Sequence, residues 1–260
     1  MAALANGFEG GVPGATVTTG NSGGPSGDPW TLSTDTVGGA CVYTDLGPAH
    51  GVRCMAVSVA ATGGAQRRGW AVNAGDSTAT QYFRFYVDPA SITGTVAPLR
   101  GMNVTSSGQR FRIQVTAAGV LSLHNNANTA VWTSAALAAG PQWRVEVSAA
   151  GSTTAAARVR IYLGDAEVPA QDSGPLSGLN LGGPIREVWF GQTAAATNVG
   201  LRLDDCGWSD TAPLGSILTR RAVSAPSVAG PVSLPALLER HSSVPLLSAH
   251  RSSTSEVTRG

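Results

Sequence analysis

The chain has 260 residues, of which 42% are hydrophobic and 13% are charged, and this is enough apolar material to bury one large core. All 17 basic residues are arginine, and the formal net charge is +1. So balanced a charge excludes the strong attraction that nucleic acids and anionic membranes exert on basic proteins. No segment approaches the roughly 18 apolar residues of a membrane span. We therefore expect neither nucleic-acid binding nor membrane insertion.

Alternating apolar and polar residues predict a series of half-buried β-strands. In QYFRFYVD (81–88), Phe83, Phe85 and Val87 share one face of such a strand. The stretch RFRIQVTAAGVLSLHN (110–125) predicts a hairpin with its turn at residues 118–119. QWRVEVSA (142–149) and ARVRIYLG (157–164) show the same alternation, and we expect them to pair.

Two further strands are predicted late in the chain, in REVWFGQ (186–192) and NVGLRLDDCGWSD (198–210). About a dozen short strands with turn signals between them, and no amphipathic helix before residue 212, are typical of an all-β sandwich. The expected fold is a two-sheet antiparallel jelly-roll sandwich over residues 1–212, followed by an extended C-terminal arm over residues 213–260.

The predicted arm differs in composition from the sandwich. From residue 216 onward it has no aromatic residue, and proline recurs at positions 226, 231, 235 and 245. Such a segment cannot form a core of its own, although SLPALLER (233–240) could form a short helix. The stretch SLPALLERHSS nearly repeats as SVPLLSAHRSS. We expect the arm to bind a partner through Leu234, Leu237, Leu238, Arg240, Val244, Leu246, Leu247 and Arg251.

Arginine recurs at strand positions that the alternation places outward. Residues 1–212 contain 12 arginines against 14 acidic residues, which indicates an ordinary solvated face, while residues 213–260 contain five arginines against two glutamates. The outward arginines are at positions 84, 110, 112, 144, 158 and 160.

Three cysteines, Cys41, Cys54 and Cys206, leave two interpretations open. An odd number cannot form a disulfide framework, so all three can be small buried side chains. Alternatively, Cys41 and Cys54 could form a cross-strand bridge if residues 40–54 form a hairpin.

Candidate sugar-stacking residues are the tryptophans, because sugar rings stack on flat side chains, although a tryptophan in a sandwich more often packs in the core. They are Trp30, Trp70, Trp132, Trp143, Trp189 and Trp208. No Glu-x-Asp-x-x-Glu pair for glycoside hydrolysis, zinc-type histidine spacing, Gly-x-Ser-x-Gly elbow or phosphate loop occurs. From this we predict no catalytic residues and no enzymatic activity.

The stretches NGFEGG (6–11) and LRLDDCGWSD (201–210) resemble the first and last strands of concanavalin A-like and carbohydrate-binding jelly rolls. The same residues, with SDT (209–211) and the predicted hairpin, resemble laminin-G-like domains of actinobacterial phage virion proteins. The resemblance covers residues 5–212. It implies a structural calcium ion held by Glu9 with Asp204 or Asp205 and no other cofactor. The alternative is that these acids cap strand ends or pair with arginine.

This resemblance implies a virion structural protein without enzymatic activity. We expect a capsid decoration protein whose jelly roll faces outward and whose arm binds the major capsid protein or a tail protein. A host cell-surface glycan would be a further partner, and virion jelly rolls of this kind commonly form homotrimers. Because MAALANGFEG lacks a signal peptide, synthesis in the host cytoplasm and residence in the virion are expected. The alternatives are a minor tail or adsorption protein and a free carbohydrate-binding module.

Overall fold

The computed structural model describes residues 2–61, 63–72, 78–104, 107–137 and 140–217, apart from the side chain of Ser107. The described residues form a sandwich of two antiparallel sheets, which confirms the predicted fold class. The residues expected to bind a partner through the arm, from Leu234 to Arg251, lie outside the described part. Two short 3-10 helices, Gly24–Ser26 and Pro89–Ser91, interrupt the loops. Among the described residues, no helix has the length and apolar character needed to span a bilayer.

The first layer is a nine-stranded sheet that contains both the first and the last strand. Its central order is β13-β12-β11-β6-β16-β4-β3, while β1 pairs with β16 and β14 pairs with β12. The strands of this sheet are β1 (Ala3–Asn6), β3 (Gly39–Thr44), β4 (Cys54–Val59), β6 (Thr80–Val87), β11 (Trp143–Ala150), β12 (Ala155–Leu163), β13 (Gln171–Asp172), β14 (Leu176–Leu179) and β16 (Val199–Ser209).

The second layer is a seven-stranded sheet of order β10-β9-β8-β7-β15-β5-β2. Its strands are β2 (Leu32–Asp35), β5 (Gly64–Ala71), β7 (Thr95–Val104), β8 (Ser107–Thr116), β9 (Leu121–His124), β10 (Ala130–Thr133) and β15 (Glu187–Ala196). The predicted hairpin is the β8–β9 pair, and the predicted partners around residues 145 and 160 are β11 and β12.

The core lies between the two sheets and is built from the side chains that the alternation placed inward. Phe83, Phe85 and Val87 of β6 are all buried, and Phe83 packs against Phe111 of the other sheet with ring centroids 5.1 Å apart. Trp30 stacks on Trp70 at 4.1 Å at one end of the core. Burial of this apolar surface is the main stabilising contribution to such a fold.

All three cysteines are buried free thiols, so the proposed bridge between Cys41 and Cys54 is wrong. The hairpin itself forms, as β3 and β4, but its register pairs Cys41 with Val57 and Thr44 with Cys54. Directly opposite positions are the ones that a cross-strand disulfide requires, and these two cysteines do not occupy them.

The interpretation of the outward arginines as an ordinary solvated face is wrong for two of them. Arg84 is 0% exposed and Arg144 is 3% exposed. Loops fold over this face of the nine-stranded sheet and supply carbonyl acceptors: Arg84 donates to the carbonyl of Gly215 at 2.9 Å, and Arg144 donates to that of Ala166 at 2.9 Å. Buried arginines with hydrogen-bond partners are tolerated where unpaired ones would be costly.

The first residues of the predicted arm pack on the sandwich. Residues 213–217, which we name the strap, follow β16 and lie over the outward face of the nine-stranded sheet. Within the strap, Leu214 is only 5% exposed. A Cβ atom on Gly207 of β16 would lie 2.9 Å from Leu214 Cδ1, so glycine at this position allows the close approach. The packed part of the chain therefore continues past residue 212.

Candidate functional site

The outward face of the seven-stranded sheet carries three arginines on three of its strands. We name this group, Arg67 on β5, Arg100 on β7 and Arg112 on β8, the arginine face. Arg100 lies directly opposite Arg112 in the β7–β8 pair and opposite Trp189 in the β15–β7 pair. Directly opposite residues in an antiparallel pair project to the same side of the sheet. All of these side chains therefore point away from the core.

Two of the three guanidinium groups converge over β15. Arg67 Nη1 and Arg100 Nη1 each donate to the carbonyl oxygen of Thr193 at 3.1 Å. The Cζ atom of Arg67 also lies 4.4 Å from the centre of the Trp189 ring, a cation–π contact. The guanidinium groups of Arg67 and Arg100 are thus near neighbours, and the Trp189 ring packs against that of Arg67.

The position of Trp189 depends on a glycine in the neighbouring strand. Gly69 of β5 lies opposite Trp189, and a Cβ atom there would lie 2.3 Å from the carbonyl oxygen of Val188 and 3.0 Å from the indole. The missing side chain lets the ring lie against the sheet. Trp189 Nε1 donates to Glu187 Oε2 at 2.9 Å, which fixes the orientation of the ring.

One carboxylate, that of Glu187, is near enough to the arginine face for its charge to act on Arg67. In the part of the chain that the structure describes, Arg67, Arg100 and Arg112 form no ion pair. Arg100 donates instead to the amide oxygen of Gln109, through Nε at 3.0 Å and Nη2 at 2.8 Å. The Nε atoms of Arg67 and Arg112 are buried, and within the described residues they have no acceptor. Buried donors of this kind are rare in proteins unless a ligand or water completes them.

Burial lowers the pKa values of all three arginines on this face, and repulsion from the other two adds to the effect at Arg100. Burial, and then the charges of Arg67 and Arg112, lower the pKa of Arg100 to about 10. Burial also lowers the pKa values of Arg67 and Arg112, and at Arg67 the charge of Glu187 acts in the opposite direction. All three groups nevertheless stay charged at neutral pH, so the face is a concentrated positive surface that an anion would relieve.

A second group of polar side chains lies on the nine-stranded sheet, and we name His50, Asp165, Asp204 and Asp205 the carboxylate cluster. Asp204 is 1% exposed, and its Oδ2 accepts the backbone N–H groups of Ala49 at 2.8 Å and His50 at 3.1 Å. Its Oδ1 accepts the N–H of Asp205 at 2.8 Å. One buried carboxylate therefore anchors the loop between β3 and β4.

The imidazole of His50 bridges two further carboxylates. Nδ1 contacts Asp205 Oδ2, and Nε2 lies 2.8 Å from Asp165 Oδ2. Tyr86 donates its hydroxyl to Asp165 Oδ1 at 2.6 Å and meets the His50 ring edge-on at 4.7 Å. Both ring nitrogens therefore face carboxylates, an arrangement that favours the doubly protonated imidazolium.

The pKa directions in the cluster agree with this geometry. Burial opposes protonation of His50, but its bonds to Asp205 and Asp165, together with their charges, raise its pKa to about 9. Burial also acts against ionisation of Asp165, yet the bonds from Tyr86 and His50 lower its pKa. Burial, and then the charge of Asp205, raise the pKa of Asp204 well above its usual range.

An irregularity in β16 brings Asp204 and Asp205 into one cluster. Consecutive residues of a regular strand point to opposite faces. Here the register with β6 shifts between Asp204 and Gly207, and Asp205 has a left-handed φ of 42°. Such bulges re-aim side chains and are common next to functional sites.

The structure groups only part of the predicted calcium set. Asp204 and Asp205 lie together with His50, with ligand atoms within 4.8 Å of one another. The carboxylate of Glu9 instead accepts the N–H of Val52, at 3.2 Å for Oε1 and 3.1 Å for Oε2. Calcium takes oxygen ligands, whereas this donor set includes an imidazole nitrogen and a carboxylate that backbone amides already engage. The residues fit calcium poorly, and its binding stays a prediction.

Five of the six tryptophans cannot serve as sugar platforms in this structure. Their side chains, between 0% and 2% exposed, are Trp30, Trp70, Trp143, Trp189 and Trp208. Trp132, on the edge strand β10, is the half-buried exception. Sequence reasoning also missed Arg67 and Arg100, and it assigned no role to His50 or Asp165. Only register and loop placement bring these residues together.

The sequence matches no protein-family model and no curated protein. Among solved structures, an endo-β-1,4-glucuronan lyase from the fungus Trichoderma reesei superposes with a TM-score of 0.50 at 11% identity, over 80% of this chain and 95% of the lyase. A carbohydrate esterase from the Shiga toxin-encoding bacteriophage phi24B gives a TM-score of 0.50 at 11% identity, over 80% of this chain and 98% of the esterase. The fold is one that carbohydrate-active enzymes also use. At this identity the likeness establishes the fold, a jelly-roll-like sandwich.

The prediction that the protein has no enzymatic activity is contradicted by these neighbours. Both solved structures are enzymes, and each is almost fully covered by this chain. The missing hydrolase, zinc and elbow motifs therefore give no ground for excluding catalysis on this scaffold, because fold does not determine chemistry.

Proposed function

We propose that the protein binds an acidic polysaccharide across the arginine face. The observation that carries this proposal is the convergence of Arg67 and Arg100, with Arg112 directly opposite Arg100, and none of the three forms an ion pair among the described residues. Guanidinium groups bind carboxylates through two parallel N–H bonds, and a uronic acid polymer presents one carboxylate per sugar. The glucuronan lyase that shares the fold supports this class of ligand.

Substituting both Arg100 and Arg112 by glutamine should abolish most of this binding. Charge-assisted hydrogen bonds contribute about 1.5–3 kcal/mol each, so we expect the affinity for polyglucuronate to fall by about 100-fold or more. Titration calorimetry of the full chain measures this loss, with neutral dextran as the negative ligand. Added salt should weaken the binding of the unsubstituted chain, because exposed charges are screened.

The matched control is Arg202→Gln on the other sheet, where Arg202 pairs with Asp88 at 2.9 Å. It should bind polyglucuronate like the unsubstituted chain. Equal affinity of the double variant and the unsubstituted chain, with both folded, would exclude the arginine face as the site. Equal binding of dextran and polyglucuronate would contradict the acidic ligand.

We also propose that this domain belongs to a phage virion, with capsid decoration favoured over a minor tail or adsorption role. The support comes from the sequence: the two leucine pairs Leu237–Leu238 and Leu246–Leu247, each shortly after a proline, suit an arm that becomes ordered on a partner. Other virion proteins would be its partners, and the virion its location. A free carbohydrate-binding module would need no such arm.

A chain ending at Ile217 should fold like the full chain but fail to join the particle. The truncation keeps the strap, because Leu214 is buried against the sandwich. Thermal melting checks the fold, and particle incorporation is measured after expression in infected cells. A full-length chain with all four leucines of the two pairs changed to serine is the second variant. Incorporation of both shortened and substituted chains at the normal level would exclude the arm as the anchor.

A further inference from the structure

A cavity of about 260 Å³ lies on the outward face of the nine-stranded sheet, on the opposite side of the sandwich from the arginine face. The strap residues Pro213 and Leu214 line one part of it. Its polar lining comes from Tyr82, Glu146, Ser148, Arg158 and Arg160.

Strand register places this polar lining in two adjacent rows. Glu146 of β11 lies opposite Arg160 of β12, and Ser148 lies opposite Arg158 in the same pair. Ser148 also lies opposite Tyr82 of β6. These positions belong to three neighbouring regular strands, so the groups are held on a rigid surface rather than on a loop.

Each arginine at this pocket has a carboxylate neighbour, unlike the arginines of the arginine face. Arg158 donates through Nε to Asp172 Oδ1 at 2.8 Å, and Arg160 lies 3.6 Å from Oδ2 of the same carboxylate. Glu146 Oε1 lies 3.0 Å from Arg144 Nε. The lining therefore presents donors and acceptors together, with hydroxyl groups on Tyr82 and Ser148 that can do either.

The strap gives the pocket a fixed apolar wall. Leu214 is buried against Gly207, and Arg84, fully buried below it, donates Nη1 to the carbonyl of Gly215 at 2.9 Å. The half-buried ring of Tyr82 is the aromatic surface of the lining. The pocket thus combines an aromatic ring, an aliphatic wall and both hydrogen-bond donors and acceptors.

We propose that this pocket binds one uncharged sugar residue. A sugar hydroxyl both donates and accepts, which matches a lining of carboxylate, guanidinium and hydroxyl groups, and a sugar ring has apolar C–H faces that pack on an aromatic ring. An anionic ligand would lie beside the carboxylates of Asp172 and Glu146 and a cationic one beside the arginines, so a ligand without charge fits this lining best. The site is independent of the arginine face and stands if that proposal fails.

Saturation-transfer NMR and calorimetry of the full chain with glucose, galactose, mannose and N-acetylglucosamine test this site. We expect saturable binding of at least one of them, with a dissociation constant on the order of 1 mM, as befits a small ligand. Tyr82→Ala should weaken that binding about fivefold or more, because the stacking surface is lost. Arg160→Gln, on the exposed side of the pocket, should weaken it by a similar factor through a lost donor to the ligand.

Arg202→Gln serves as the control and should leave this binding unchanged. If Tyr82→Ala does not fold, Arg160→Gln decides the question, because its side chain is 30% exposed and the substitution leaves the core intact. Loss of affinity in Arg160→Gln with retention in Arg202→Gln supports the pocket. Saturable binding that Arg160→Gln leaves unchanged, or no saturable binding of any of the four sugars, overturns it.

Discussion

Asp204→Ala is expected to lower the free energy of unfolding by about 2–4 kcal/mol, because one buried and two partly buried backbone N–H groups lose their acceptor. Those donors are the amides of Ala49, His50 and Asp205, at 2.8, 3.1 and 2.8 Å from the carboxylate. The loss is below the sum of three full bonds, because burial and the charge of Asp205 already raise the pKa of Asp204 and make its ionised form costly. Urea unfolding followed by tryptophan fluorescence measures the change.

Asp210→Ala is the matched control for this variant. Asp210 also accepts a backbone amide, that of Ala2 at 3.0 Å, but in an exposed position. Its substitution should change the free energy of unfolding by about 0.5 kcal/mol or less. Similar losses of unfolding free energy in the two variants would show that the hydrogen bonds of Asp204 contribute no more than those of an exposed carboxylate.

Unfolding the unsubstituted chain with and without a chelator tests calcium binding. Removal of a bound ion would lower the free energy of unfolding.

The second large effect is a loss of stability as the pH rises from about 6.5 to about 9. The folded pKa of His50, about 9, lies above its unfolded value of 6.5, so the protonated ring stabilises the fold fully below pH 6.5. That contribution disappears as the pH rises through the folded pKa. Allowing for solvent screening of a partly exposed pair, we expect about 1–2 kcal/mol over this range.

His50→Gln should remove most of this pH dependence between pH 6 and pH 8, as measured by urea unfolding at the two pH values. The groups that face His50 are the carboxylates of Asp165 and Asp205 and the hydroxyl of Tyr86. Burial raises the folded pKa values of Cys41 and Cys54 to about 12, while in the unfolded chain these thiols ionise near their usual pKa of 9.0, so their own effect on stability begins above about pH 8. His124→Gln is the control variant, and it should lose stability with rising pH as the unsubstituted chain does. An equal fall in stability in His50→Gln and the unsubstituted chain would assign the effect to another group.

The sandwich could be predicted because its signal is local. Alternation in β6, β8, β11 and β12 marks the inward side chains, and the short turns after β8 and β11 specify hairpins. The sheet to which each strand belongs is a nonlocal property. β15 and β16 follow each other in the chain, yet β15 lies between β7 and β5 while β16 lies between β6 and β4 in the other sheet.

The candidate sites could be predicted only in part. Alternation places Arg112 outward, but its proximity to Arg67 and Arg100 depends on the register of strands that are far apart in sequence. The DD motif pointed to Asp204 and Asp205, while the bulge that groups them with His50 has no sequence signal strong enough to recognise. Burial of Arg84 and Arg144 is set by loops that fold over the sheet, which alternation cannot detect.

The pairing of β1 with β16 has a consequence for how the protein can be handled. Ala3 lies opposite Ser209, and Ala2 and Asp210 bond through their backbones at 3.2 Å. A tag or fluorophore fused ahead of residue 2 would therefore emerge next to the end of β16 and crowd the residues that directly follow this strand. The exposed residues Ala117 and Ala118 of the β8–β9 turn, on the other sheet, are a better position for a label.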